Sequence, residues 1–239
     1  MYAPQDLEQN ELLAALPSEL QLRWKPHLVG INMPLGQVLR ESGDAPQHVY
    51  FPTTSVVSLM LATESGSTTG IALIGQEGVV GVSTFMGGGS SRSRAVVQCA
   101  GQGFRLDAGL MRDEFELGGA AMHLLLRYTQ ALITQMAQTA VCNRHHALDQ
   151  QLCRWLLLNL DRVKGCELVM TQELISTNLG VRRESVTEGA RRLQVAGCIR
   201  YVRGKITVLD RPALEARSCE CYAIVKKEYD RLLPRRHAI

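Results

Sequence analysis

Six side chains with long hydrogen-bonding reach fall close together at Arg182, Arg183, Glu184, Thr187, Glu188 and Arg191. At about 100° per residue, a helix here groups Glu184, Thr187, Glu188 and Arg191 on one face, with Arg182 and Arg183 at its N-terminal end. The chemistry of such a face is that of nucleic-acid base edges. Arginine matches guanine O6 and N7 as a bidentate donor, and glutamate accepts from cytosine N4. Thr187 and Arg191 suit base or phosphate oxygens, while Thr171, Arg203 and Lys205 suit phosphate.

The elements that must position these groups are legible around them. Residues 170–193, MTQELISTNLGVRRESVTEGARRL, read as two short helices joined at a tight corner. Thr171 is an N-cap type and Glu173 suits the positive end of the first helix. Leu174, Ile175, Asn178 and Leu179 share a face, and Gly180 ends the helix where positive φ is needed. The second helix carries an apolar stripe, Val186, Ala190 and Leu193, opposite the polar one. Ala196-Gly197 stops it, and in 199–210 two β-prone runs flank Arg203-Gly204-Lys205, a hairpin with a basic tip. A helix-turn-helix followed at once by a hairpin is the winged form of the motif, whose second helix enters the major groove of DNA.

Other constellations carry less. The seven cysteines (99, 142, 153, 166, 198, 219 and 221) are odd in number and lack C-x-x-C pairs, which argues against a disulfide framework or a zinc finger. Cys219-Glu220-Cys221 reads as two reduced thiols at the start of a terminal helix. Cys142, His145 and His146 stand at helical spacings that could bring them together as ligands, but a His-His pair at a polar hinge is ordinarily solvated. No metal and no other cofactor is therefore expected. The histidines and carboxylates form no recognisable nucleophile–base motif, so an enzyme is not expected either.

Net charge, +3 over 239 residues, hides an asymmetry. Up to Asn143 the chain holds 8 Lys+Arg against 12 Asp+Glu; beyond it, 18 against 11. All the positive excess lies in the C-terminal part, where phosphate attraction would be useful. Apolar runs stay short of the roughly 20 residues needed to span a bilayer and no leader is recognisable, so a cytoplasmic protein without a membrane partner is expected.

Upstream, residues 1–30 predict two short amphipathic helices carrying Leu12, Leu13, Leu16, Leu20 and Trp24, a lid on the strands downstream. Short strands then alternate with turn clusters from 31 to about 107: 49–51, 56–61, 71–74, 79–82, 95–99 and 104–106. Their spacing suggests a sandwich, barrel or jelly roll. A helix over 120–144 shows two stripes. Leu125, Thr129, Leu132, Met136, Thr139 and Asn143 form one, and Leu126, Ile133, Ala137 and Val141 the other. Two apolar faces need two neighbours, the β domain and the same helix of a second subunit. A further helix is expected over 149–163.

This order of parts resembles the Crp/Fnr family of bacterial transcription regulators over nearly the whole chain. The carriers are Pro34-Leu35-Gly36-Gln37-Val38-Leu39, Glu41-Ser42-Gly43-Asp44 (Ser42 replacing a usual Gly) and His48-Val49-Tyr50-Phe51. In the C-terminal part they are Thr171-Gln172-Glu173, Leu179-Gly180 and Arg183-Glu184-Ser185-Val186. The resemblance implies an α+β chain with three parts: a sensory jelly-roll-like β-roll (double-stranded β-helix) over 1–119, a dimerisation helix over 120–144 and a winged helix-turn-helix over 145–239. It implies a homodimer on an inverted-repeat site in double-stranded DNA, with RNA polymerase as a further partner. Arg183, Glu184 and Glu188 fall where relatives place base-contacting groups, although relatives often carry Arg at the position of Glu188. The cyclic-nucleotide-binding members hold ribose with a Glu and phosphate with an Arg. Here the first segment reads Gly81-Val82-Ser83-Thr84, without the carboxylate, and the phosphate Arg would be Arg92 or Arg94. No cysteine precedes Cys99, so the N-terminal cluster of the iron–sulfur members is missing. The alternative reading is a switch gated by a different ligand or by oxidation of Cys219 and Cys221.

Overall fold

A computed structural model describes residues 7–234. The elements run α1 (Glu11–Ala14), α2 (Ser18–Trp24), β1 (Val29–Met33), β2 (Val38–Arg40), β3 (His48–Pro52), β4 (Val56–Ala62), β5 (Thr68–Ile74), β6 (Arg94–Cys99) and β7 (Gly101–Asp107). They continue as α3 (Ala108–Leu117), α4 (Gly119–His145), α5 (Leu148–Leu160), β8 (Glu167–Val169), α6 (Gln172–Leu179), α7 (Arg183–Val195), β9 (Ile199–Val202), β10 (Lys205–Val208), α8 (Arg211–Arg217) and α9 (Glu220–Leu232). Among the described residues no helix is long and apolar enough to cross a membrane.

The N-terminal strands form two antiparallel sheets, β1-β7-β3 and β2-β6-β4-β5, as an open roll rather than a closed barrel. Val49 and Phe51 from the first sheet meet Val57, Ile74 and Val97 from the second, all fully buried. The expected lid belongs to this core. Leu12, Leu13, Leu16, Leu20 and Trp24 are each buried, and Trp24 stands 6.5 Å from Phe51, ring to ring. Buried Asn10 pins the segment by donating to Pro52 O and Gly78 O at 2.8 and 2.9 Å.

One expectation is corrected, and three elements were not expected. Residues 79–82 are not a strand: Val80 makes one bridge to Tyr50, and Gly81 at φ +118° then turns the chain into a 3-10 turn, Val82–Thr84. Strands β1 and β2 carry weak alternation and escaped the pattern, because β1 buries only Met33 fully. Helix α3 likewise went unread; Asp107 caps it, accepting from Gly109 N at 2.8 Å.

Helix α4 lies along the roll. Its first stripe is buried at Leu125, Thr129 and Leu132, and Tyr128, fully buried, donates to Val79 O at 3.0 Å. The second stripe stays open among the described residues: Leu126, Ile133 and Val141 are 41%, 56% and 45% exposed. A second core gathers α5 to α9 with the wing, and it also takes in Val56, Leu73 and Cys99 from the outer face of the roll. Polar groups stitch the two cores together. Ser58 donates to Asn178 Oδ1 at 2.7 Å, Gln98 bonds Asn159, and Gln135 pairs with both the N–H and C=O of Leu73. Buried Arg162 donates to Glu77 at 2.7 Å and lies 5.7 Å over the Tyr229 ring.

Candidate nucleic-acid interface

Helix α6 starts where Thr171 accepts from Leu174 N at 3.1 Å, leaving the hydroxyl proton at the exposed end of the helix. It ends at Gly180, whose φ of +66° turns the chain into α7. A Cβ there would also come within 2.6 Å of Thr69 Oγ1. Gly180→Ala should therefore cost about 1–3 kcal/mol of stability, and an unchanged denaturant midpoint would refute this account of the turn.

Helix α7 buries Val186, Ala190 and Leu193 and exposes the opposite face. Arg182 is its N-cap and, like Arg183 and Glu184, is exposed. Thr187 is exposed, and its hydroxyl donates to Gln172 Oε1 at 2.9 Å or Arg183 O at 3.0 Å. Glu188 receives both Nε (3.0 Å) and Nη2 (2.9 Å) of Arg191, and Arg192 at 3.2 Å; these cations hold its carboxyl below the usual range. Its carboxylate thus orients Arg191 before it can accept from a base. Arg192, outside the predicted set, is clamped by Asp149 at the start of α5.

The wing is three-stranded, in the order β8-β10-β9, with Lys205 paired to Val202 and Val169. Its turn is Arg203-Gly204, both at positive φ (49° and 79°), the geometry of a two-residue hairpin. Lys205 reaches Glu167 of β8 at 2.7 Å, an exposed pair that phosphate can compete for. Sequence reasoning missed β8, and with it this partner. It also missed Tyr201, which donates to Met170 O at 2.8 Å and fixes the wing against α6. An open cleft between α7 and the wing is lined by Thr171, Arg183, Thr187, Arg191, Tyr201 and Arg203. Among the described residues Arg183, on the wall of this cleft, has no carboxylate partner, so its fork meets an entering ligand unpaired.

The two predicted effector segments lie side by side, but their arginines turn away from the space between them. Gly81 and Val82 lie at the 3-10 turn, Arg92 is exposed, and Arg94 pairs on the surface with Glu41 at 2.9 Å. The guanidinium between these segments belongs instead to Arg40 of β2. It donates to Ser83 Oγ at 3.3 Å and to Ser93 O and Oγ at 3.2 and 3.1 Å, and burial lowers its pKa. An arginine isolated in a strand gives no local sign of this.

Residues 150–217 match the family model of the Crp-like helix-turn-helix domain. No curated protein matches the chain. Among solved structures it is similar to FixK2 from Bradyrhizobium japonicum (16% identity, 80% of this chain and 98% of that one, TM-score 0.67). It is also similar to a CRP-family transcriptional regulator from Thermus thermophilus (17%, 79% and 96%, 0.65). A third is CLP, the c-di-GMP-responsive global regulator of Xanthomonas campestris (13%, 81% and 100%, 0.62). The family model identifies a Crp-like helix-turn-helix domain, and the solved structures share the fold over about four fifths of the chain.

Proposed function

Because residues 150–217 are a Crp-like helix-turn-helix domain on a chain with the Crp/Fnr fold, we propose that the protein is a homodimeric, sequence-specific transcription regulator in the cytoplasm. Its units are a sensory roll over 1–119, the dimerisation helix over 120–144 and the DNA-binding part over 145–239. Two α7 helices enter successive major grooves of an inverted repeat, about 34 Å apart. Arg183 and Glu184 read base edges. Arg182, Arg191, Arg203, Lys205 and Thr171 hold phosphate, and RNA polymerase is the protein that such a bound dimer engages.

The observation that carries this reading is the face of α7, with Arg183 lacking a carboxylate partner among the described residues beside the wing cleft while the other side of the helix is buried. Selection of bound duplex from a random pool should enrich two half-sites in inverted orientation. On that duplex Arg183→Ala should weaken binding about 10- to 100-fold, the loss of one bidentate base contact, with a much smaller effect on unselected DNA. Equal affinity for selected and bulk DNA would sink the proposal.

Modulation through the roll is the second part of the proposal. It is favoured by the direct packing of α6 on β5, with Asn178 held by Ser58. Any ligand that moves the β4–β5 hairpin acts on the reading head through this contact.

A further inference from the structure

Three of the seven cysteines, Cys142, Cys219 and Cys221, form a buried cluster of their own where the long helix meets the DNA-binding part. Cys142 lies in the last turn of α4 and His146 is its C-cap, four residues on; Cys219 is the N-cap of α9 and Cys221 follows within its first turn. Cys142 Sγ is 3.5 Å from Cys219 Sγ, and Cys221 Sγ is 3.6 Å from His146 Nδ1. All four atoms lie within 4.8 Å of one another. We propose that these four residues form a tetrahedral site for a thiophilic divalent cation, Zn²⁺ before others.

Three observations carry the assignment. Metal–sulfur and metal–nitrogen lengths of about 2.3 and 2.0 Å give tetrahedral edges of roughly 3.8 Å between sulfurs and 3.5 Å between sulfur and nitrogen; the sulfur–nitrogen edge at 3.6 Å fits, and the sulfur–sulfur edge at 3.5 Å needs only a small opening. The other ring nitrogen of His146, Nε2, is 3.2 Å from Glu220 Oε1. A carboxylate there fixes the tautomer that leaves Nδ1 as the ligand, the usual outer-shell arrangement of a metal-bound histidine. Finally, Zn²⁺ with three thiolates and a neutral imidazole carries one net negative charge, costly in a buried place. Buried Arg154 is within electrostatic reach of all three cysteines, and its buried Nε has no partner among the described residues. Its fixed positive charge offsets that excess. His145, the other histidine of the pair, is exposed and takes no part. The expectation of no metal is thereby revised: the ligands come from the two ends of the C-terminal half, and their spacing in sequence matches no compact motif.

The site clamps the end of α4 to the start of α9, so its readouts are metal content, spectrum and stability of the full-length chain. The chain purified under reducing conditions without an affinity tag should hold about one zinc by elemental mass spectrometry. Co²⁺ in its place should give thiolate charge-transfer absorption and the d–d bands of a tetrahedral centre. Cys219→Ser and His146→Ala should lose most of the metal, while Cys166→Ser, at an exposed cysteine outside the cluster, keeps it. Should the ligand variants fail to fold, mercurial titration of the native chain decides instead, since zinc must leave in step with the cluster thiols. A native chain that takes up neither zinc nor cobalt overturns the proposal. So does recovery of a Cys142–Cys219 disulfide from protein isolated and alkylated without air, which would explain the short sulfur approach by oxidation.

Discussion

Ile133→Glu should convert the protein from twice 26.4 kDa to 26.4 kDa in sedimentation equilibrium, while its circular dichroism stays that of the native chain. Ile133 is 56% exposed on the second stripe of α4, flanked by Leu126 and Val141, so the substitution leaves the core of the chain untouched. A charge at the centre of a helix–helix seam must be desolvated on pairing without a partner, which costs several kcal/mol. The effect on DNA is larger than on mass. Two half-sites bound by one dimer gain about 10²–10⁴-fold from effective concentration, and a monomer loses that gain while each reading head remains intact. A variant that still sediments as a dimer and still binds the inverted repeat tightly would remove α4 as the dimer seam.

The largest stability change is expected at Arg162→Ala. Arg162 and Glu77 join α5 to the roll at 2.7 Å, with side chains only 6% and 14% exposed, and the guanidinium also covers Tyr229. Removing one partner leaves a carboxylate in a place shaped for a pair, at a cost of about 3–5 kcal/mol. In a chain of this size that is a fall of roughly 10 °C in Tm. Changing both partners, to Glu77→Gln with Arg162→Met, should restore most of the loss, because the penalty belongs to the orphaned charge. A fall of the same size in the double variant would place the effect in packing alone.

The helix-turn-helix is legible in the sequence where much of the β-roll is not, and the cause is local. Thr171, Gly180, Val186, Ala190 and Leu193 act over one to four residues, through caps, positive φ and helical period, so their roles are written in neighbouring letters. The same holds for Leu12 to Trp24 and for most strands of the roll. It fails for β1 and β2, where one face is only partly covered and alternation fades, and for 79–82, where Gly81 turns an apolar run out of the sheet. The stripes of α4 were both legible as apolar, but which one the chain covers was not, since periodicity gives faces and no partners.

The sequence by itself determined the winged motif, the placing of the positive charge beyond Asn143 and the double-faced helix, because each arises from periodicity, turn chemistry or plain counting. Tertiary structure alone decided which groups are engaged. It set Glu188 under Arg191 and Arg192 while leaving Arg183 without a carboxylate partner among the described residues, and it put Arg40, rather than Arg92 or Arg94, between Ser83 and Ser93. It also paired Arg162 with Glu77 across 85 positions and brought Cys142 to Cys219 across 77. Contacts at such separations depend on how whole elements pack, and packing leaves no period in the chain from which a partner could be read.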